Sequence, residues 1–251
     1  MPKARWYIAG SCVVALAAAG VTAAAVSGSG SSSRTRALTS DEANRLAITR
    51  FRNYEAGGRA VTITVPGTAG DLVLTGSIDY RAKLGYGVVH GTGRDTSSDG
   101  LIEWTATSVL VDPMPSTPAA APATPPTTGW FSRPLQQTGS SLDSALAITL
   151  NLGSDRPDNA QLLPQNGAMW VGHDQVAGRQ TDIMTGPAAR GTAETTGTAA
   201  TTAGTVRYWI GADGTMYRVQ AALASESQPA VIDFDTQKYS AVPPTPAAAQ
   251  G

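Results

Sequence analysis

The sequence has one cysteine and two histidines in 251 residues. A lone thiol forms no internal disulfide, and two histidines without an acidic cluster beside them make no metal set, so no metal is expected. Aromatics are 6% and charged residues 15%, below the roughly 25% charge of an average domain. Lys and Arg number 18 against 19 Asp and Glu, which leaves no basic footprint and excludes nucleic acid as a partner. The sequence contains no dinucleotide fingerprint, no phosphate loop and no nucleophile elbow. No cofactor is implied, no residue is placed as a catalytic nucleophile or base, and the chain does not read as an enzyme.

What is present begins with a targeting pattern. Lys3 and Arg5 precede the uncharged run Trp6 to Val26, which is long enough to cross a hydrocarbon core of roughly 30 Å. The basic flank puts the N-terminus inside and the body outside the cell membrane. Residues 1–26 read as a single-pass transmembrane anchor, as a signal peptide cleaved near Ala24-Ala25-Val26, or, with Cys12 after Ala9-Gly10-Ser11, as a lipidation signal. Residues 27–38 read as a flexible tether. The body is 39–239. Within it, the Pro-rich stretch 113–129 and the Thr/Ala-rich stretch 187–204 bury too little to offset the entropy of ordering, as does the tail 240–251, so all three are expected to be disordered.

Thr39 and Glu42 form a capping box for a helix over 41–56, which Gly57-Gly58 stops. A second helix is expected over 140–152, capped by Ser140 with Asp143 and closed by Gly153. Its inner stripe is Leu142, Ala145, Leu146 and Thr149. Period-two alternation places strands at 61–65, 72–80, 84–88 and 102–110, followed by strands near 168–172, 180–185, 206–211, 215–223 and 230–235. Short turns join them, Ala212-Asp213-Gly214 being the strongest, so the fold class is α+β with an antiparallel meander that has one apolar face. On that face the alternation sets Leu72, Leu74, Ile78 and Tyr80 beside Leu84, Tyr86 and Val88, and beside Ile102, Trp104 and Ala106.

The order of these elements resembles the LppX/LprA/LprF/LprG lipoproteins of actinobacteria and, more distantly, the LolA/LolB carriers. The local matches are Gly76-Ser-Ile-Asp-Tyr80, the run from Trp170 to Arg179 leading into Asp182 to Gly186, and the run from Tyr208 to Arg218. They span roughly residues 40–238. The resemblance implies a curved antiparallel sheet, a half-open barrel, with two helices covering a concave face that holds acyl chains.

The polar candidates have plain readings. Adjacent His173 and Asp174 face opposite sides of an extended chain and suit a turn. The acidic stretches Asp95–Asp99 and Asp155–Asn159 lack the distant bidentate Glu of a calcium loop. Leu74, Ile78, Tyr80, Tyr86, Trp104, Leu146 and Trp170 are expected to be buried, either as solid core or as the wall of a cavity for a lipid or other hydrophobic small molecule. The alternative is an envelope sensor or a module that binds another envelope protein. Fractionation tests the topology: the full-length chain is expected in the membrane, and a shortened species in the medium would instead establish signal cleavage.

Overall fold

The computed structural model describes residues 35–94, 96–136, 139–187 and 206–243. The chain divides after Ser32, and all described residues belong to the second unit. The expected anchor or signal segment 1–26 with Cys12, the stretch 188–205 and the end of the tail lie outside them.

Thr39 Oγ1 accepts from the Glu42 amide while the Glu42 carboxylate accepts from the Thr39 amide, so the capping box starts α1 (Ser40–Glu55). Gly57, at φ +80°, ends it. The chain then runs through β2 (Gly58–Val65), β3 (Leu72–Asp79), β4 (Leu84–Gly91), β5 (Gly100–Trp104), β6 (Ser108–Pro113) and β7 (Phe131–Pro134). Next come α2 (Ser141–Leu150) and the one-turn α3 (Leu162–Gln165). The strands β8 (Met169–Val176), β9 (Arg179–Thr185), β10 (Val206–Ile210), β11 (Met216–Ala221) and β12 (Ala230–Phe234) follow. A two-residue strand β1 (Arg36–Ala37) pairs with β8 at the end of the expected tether.

Among the described residues, twelve strands form one antiparallel sheet in the order β1-β8-β9-β10-β11-β12-β2-β3-β4-β5-β6-β7. Two meanders therefore meet where β12 pairs with β2. Among the described residues the sheet does not close: β1 and β7 are its edges. It is a curved sheet with α1 and α2 on one face, as the resemblance implies. Cross-strand register lines that inner face with one apolar row. Trp170, Met184, Tyr208, Val219, Ile232, Ile63, Leu74 and Val89 are successive partners across eight strands.

A second inner row is Arg59, Ile78, Gly85, Trp104, Val109 and Arg133. Each of its ends ties a helix to the sheet. Arg59 donates to Asn53 Oδ1 of α1 at 2.8 Å, lies 4.6 Å from the Phe234 ring centroid and pairs with Asp235. Arg133 grips Asp143 of α2 through both terminal nitrogens, at 2.5 and 2.7 Å. Asn53 in turn donates to Leu152 O at 2.8 Å, joining α1 to the chain that leaves α2.

Several elements differ from the sequence reading. The strand expected over 102–110 is two strands, because the Thr105 hydroxyl accepts from the Thr107 and Ser108 amides and turns the chain. Ala106 is exposed in that turn. Gly153 does not close α2 with a left-handed residue. Asn151 is the C-cap, Lys83 Nζ donates to Leu150 O and Gly153 O, and a Cβ at 153 would fall 2.3 Å from the Tyr80 ring. His173 and Asp174 lie in β8 rather than in a turn; His173 Nδ1 is 2.8 Å from Asp182 Oδ1, and Asp174 accepts from Trp209 Nε1.

The largest difference is β4. Register pairs Ser77 with Tyr86 and Thr75 with Val88, so Tyr86 and Val88 face outward, while Gly85, Gly87 and Val89 face inward. A Cβ at 85 would sit 2.2 Å from the Trp104 ring, so only glycine leaves Trp104 its place. The outer face here is covered as well: Met114 and Ala121 of the Pro-rich segment, with Trp130 just after it and Val242, pack on Tyr86, Val88 and Leu101. Gly85→Ala is accordingly expected to cost about 3 kcal/mol in urea unfolding through overpacking, and Trp104→Phe in the same chain should recover part of it. An unchanged midpoint for Gly85→Ala would contradict the seating of Trp104.

Candidate functional site

The expected wall residues divide three ways. Leu74, Ile78, Tyr80, Trp104 and Leu146 come together in the core under α2, each fully buried. Trp170 lies in a separate cluster with Leu46 and Ala47 of α1 and Ile210, donates Nε1 to Asp182 at 2.9 Å, and has Arg36 over its ring. Tyr86 is buried on the opposite face, its ring 6.4 Å from that of Trp130. Tyr86 therefore does not share a wall with the others, because the small partners in its alternating strand, and not the large ones, face α2.

The packed face opens at one end, where the β2–β3 loop, the end of β4, the start of β5 and the first turn of α2 converge. A hollow of about 200 Å³ is lined by Val89, Ile102, Val111 and Leu142 on its apolar side and by Arg133 and Asp99 on its polar side. A larger open one of about 610 Å³ adjoins it, lined by Val65, Leu72 and Leu142 with Ser98, Ser140, Ser141 and Arg133. The two share Ser98, Arg133 and Leu142. Leu72, Val111 and Leu142 are only partly buried and pack directly on the cluster that holds Leu74 and Trp104, so the apolar surface is continuous from rim to core.

Local sequence explains this mouth. Asp99 Oδ1 accepts from the Gly91 amide at 2.7 Å and its carbonyl accepts from Met114, which fixes the β4–β5 loop. Asp71 and Thr92 close the facing loop through two hydrogen bonds of 2.8 Å. Ser140 caps α2 by accepting from the Asp143 amide. Asp143 itself is fully buried. Burial alone would raise its carboxyl, but the Arg133 guanidinium and the Gln136 amide outweigh that and hold it below its ordinary value. The pair fixes the helix end and compensates its own charge, while the carboxylates of Asp99, Asp112 and Glu226 also line the mouth.

Arg133 and Val89 were not among the sequence candidates. A four-residue strand after a Pro-rich stretch carries too short an alternation to identify, and Val89 follows Val88 with no period to say which faces inward. Leu142 did show, on the inner stripe of α2. Among the described residues, no group of three or more His, Cys, Asp or Glu is placed to hold a metal.

No family model matches the chain, and no curated protein does. Solved structures are similar to it. One is the lipoprotein LppX of Mycobacterium tuberculosis, at 12% identity over 77% of this chain and 94% of that one, with a TM-score of 0.40. Another is LprF from Mycobacterium bovis, at 12% over 85% and 99%, with a TM-score of 0.38. A conserved protein from Thermus thermophilus is similar at 10% over 76% and 84%, with a TM-score of 0.37.

Asp143→Asn should destabilise the protein by about 2–3 kcal/mol at neutral pH, since it keeps the shape but strips the charge from a buried partner. A carboxyl lowered by folding adds stability above its ordinary value of 3.8, lost as pH falls below it. Wild type should therefore lose stability on that acid limb more steeply than Asp143→Asn. Parallel acid limbs would contradict the assignment.

Proposed function

We propose that the protein is an extracytoplasmic binder of a lipid or other hydrophobic small molecule, which enters at the mouth between the sheet and the first turn of α2. The observation that carries this reading is the continuity of Leu72, Val111 and Leu142 at the rim with the buried cluster behind them. A soluble body would gain by covering such a surface: each CH₂ removed from water is worth about 0.8 kcal/mol, so a single chain of moderate length binds usefully. The closed core around Leu74, Trp104 and Leu146 forms the floor of the site, and the chain lies at its open end. The sequence order, which resembles carriers of acyl chains, supports the same reading.

The N-terminal run supports placement outside the cell membrane, by a retained anchor or after export. Among the described residues no helix is long and apolar enough to cross a membrane, so attachment would rest on that run. Envelope partners would then meet the body at the membrane surface.

Purification from a lipid-containing host followed by solvent extraction and native mass spectrometry tests the reading. Wild type should retain a hydrophobic molecule, and Leu142→Arg, which puts a charge in the apolar entrance at a half-buried position, should lose it while melting within a few degrees of wild type. A wild-type chain that stays empty in several lipid mixtures, or a variant that binds as well, would overturn it.

A further inference from the structure

A second hollow lies away from the mouth, under α1. Its volume is about 220 Å³, and Leu46, Thr49 and Arg50 of α1 line it together with Asp158, Leu163, Pro187 and Tyr208. Tyr208 packs against both the cluster under α2 and the one under α1, so the hollow lies at the seam between them.

Thr49 is 1% exposed, and among the described residues its hydroxyl has no hydrogen-bond partner. The contrast with Thr149 is informative. Thr149 is also buried inside a helix, and its hydroxyl donates to Ala145 O one turn back at 2.6 Å, the usual solution for such a residue. Thr49 does not take that solution. A buried polar group without a partner is destabilising, and a partner arriving from outside the chain would recover that loss.

The surroundings define that partner. The Arg50 fork is already used: Nε and Nη2 donate to the two oxygens of Asp158 at 3.0 and 2.5 Å, and Nη1 to Asn151 O at 3.3 Å. An anionic ligand would meet Asp158 and find no free cation, and a cationic one would meet Arg50. The uncommitted polar groups of the lining are the Thr49 and Tyr208 hydroxyls, both able to donate. Leu46, Leu163 and Pro187 supply the apolar remainder. A dry cavity of about 150 Å³ holds a benzene ring, so this one accommodates a ring with a short substituent.

We propose that the hollow beneath α1 is a binding site for a small, uncharged ring compound bearing a carbonyl group, whose oxygen accepts from the Thr49 and Tyr208 hydroxyls. It is separate from the mouth beside α2 and does not depend on the hydrophobic-ligand reading of that mouth.

Acetophenone and α-methylstyrene, which differ by a CH₂ in place of the carbonyl oxygen, form the probe pair. Titration into the full chain, followed by ligand-observed NMR, should show saturable binding with acetophenone about three- to tenfold tighter. Thr49→Val should weaken that preference, lower neither α-methylstyrene affinity nor melting temperature, and so separate recognition from folding. Tyr208→Phe should reduce the preference independently. Leu142→Arg should leave both probes binding as in wild type, which distinguishes failure of this site from failure of the mouth. Equal affinity for the two probes, absence of saturable binding, or a preference unchanged in Thr49→Val would each overturn the proposal.

Discussion

Gly85 has no side chain, and Trp104 uses the space. The cross-strand row that contains them ends at Arg59 on one side and Arg133 on the other, and each arginine holds one helix. The level at which Trp104 lies against the sheet therefore sets how α2 can pack, and Leu146 and Leu150 complete the same cluster. Tyr80 is fixed in a comparable way by Gly153, which follows α2 directly. Two glycines, far apart in the chain, thus make room for the two largest fully buried side chains of the core. Because this centre is filled, the opening of the inner face falls at the N-terminal end of α2, where Leu142 and Leu72 remain partly uncovered.

Much of this was legible in the sequence. The Thr39–Glu42 box, the Ser140 cap and the Ala212-Asp213-Gly214 turn are local chemistry, and local chemistry is decided within a few residues. The alternation of β2 and β3 was legible because one face of each is apolar and the other rich in Thr, Ser and Asp. β4 was not, since both of its faces are buried. Period two then identifies a strand without telling which residues face α2, and the larger side chains of Leu84-Gly-Tyr-Gly-Val point to the wrong side. What decides it is Trp104, a neighbour in space from another strand. The Pro-rich segment, with Trp130 just after it, was opaque for a related reason: Met114, Ala121 and Trp130 have no periodicity, yet they cover Tyr86, Val88 and Leu101, and Trp130 Nε1 donates to Pro126 O at 2.8 Å.

The expected site residues show the same division. Five of the seven assemble because they share strand faces or the inner stripe of α2. Trp170 belongs to the cluster under α1. The mouth is built from residues whose importance arises only in three dimensions: Arg133 on an edge strand, Asp99 bonded back to Gly91, and Val89 turned inward by the register with Leu74. The Arg133–Asp143 pair compensates its own charge and fixes the first turn of α2 at that end.

The most direct measurement of the central claim is photo-crosslinking with a diazirine-bearing fatty acid, followed by peptide mapping of the labelled chain. Label confined to the peptides carrying Leu72, Val111 and Leu142, and competed by unlabelled lipid, is the predicted result. Label spread over the outer face, or label at the mouth that unlabelled lipid fails to compete, would contradict it.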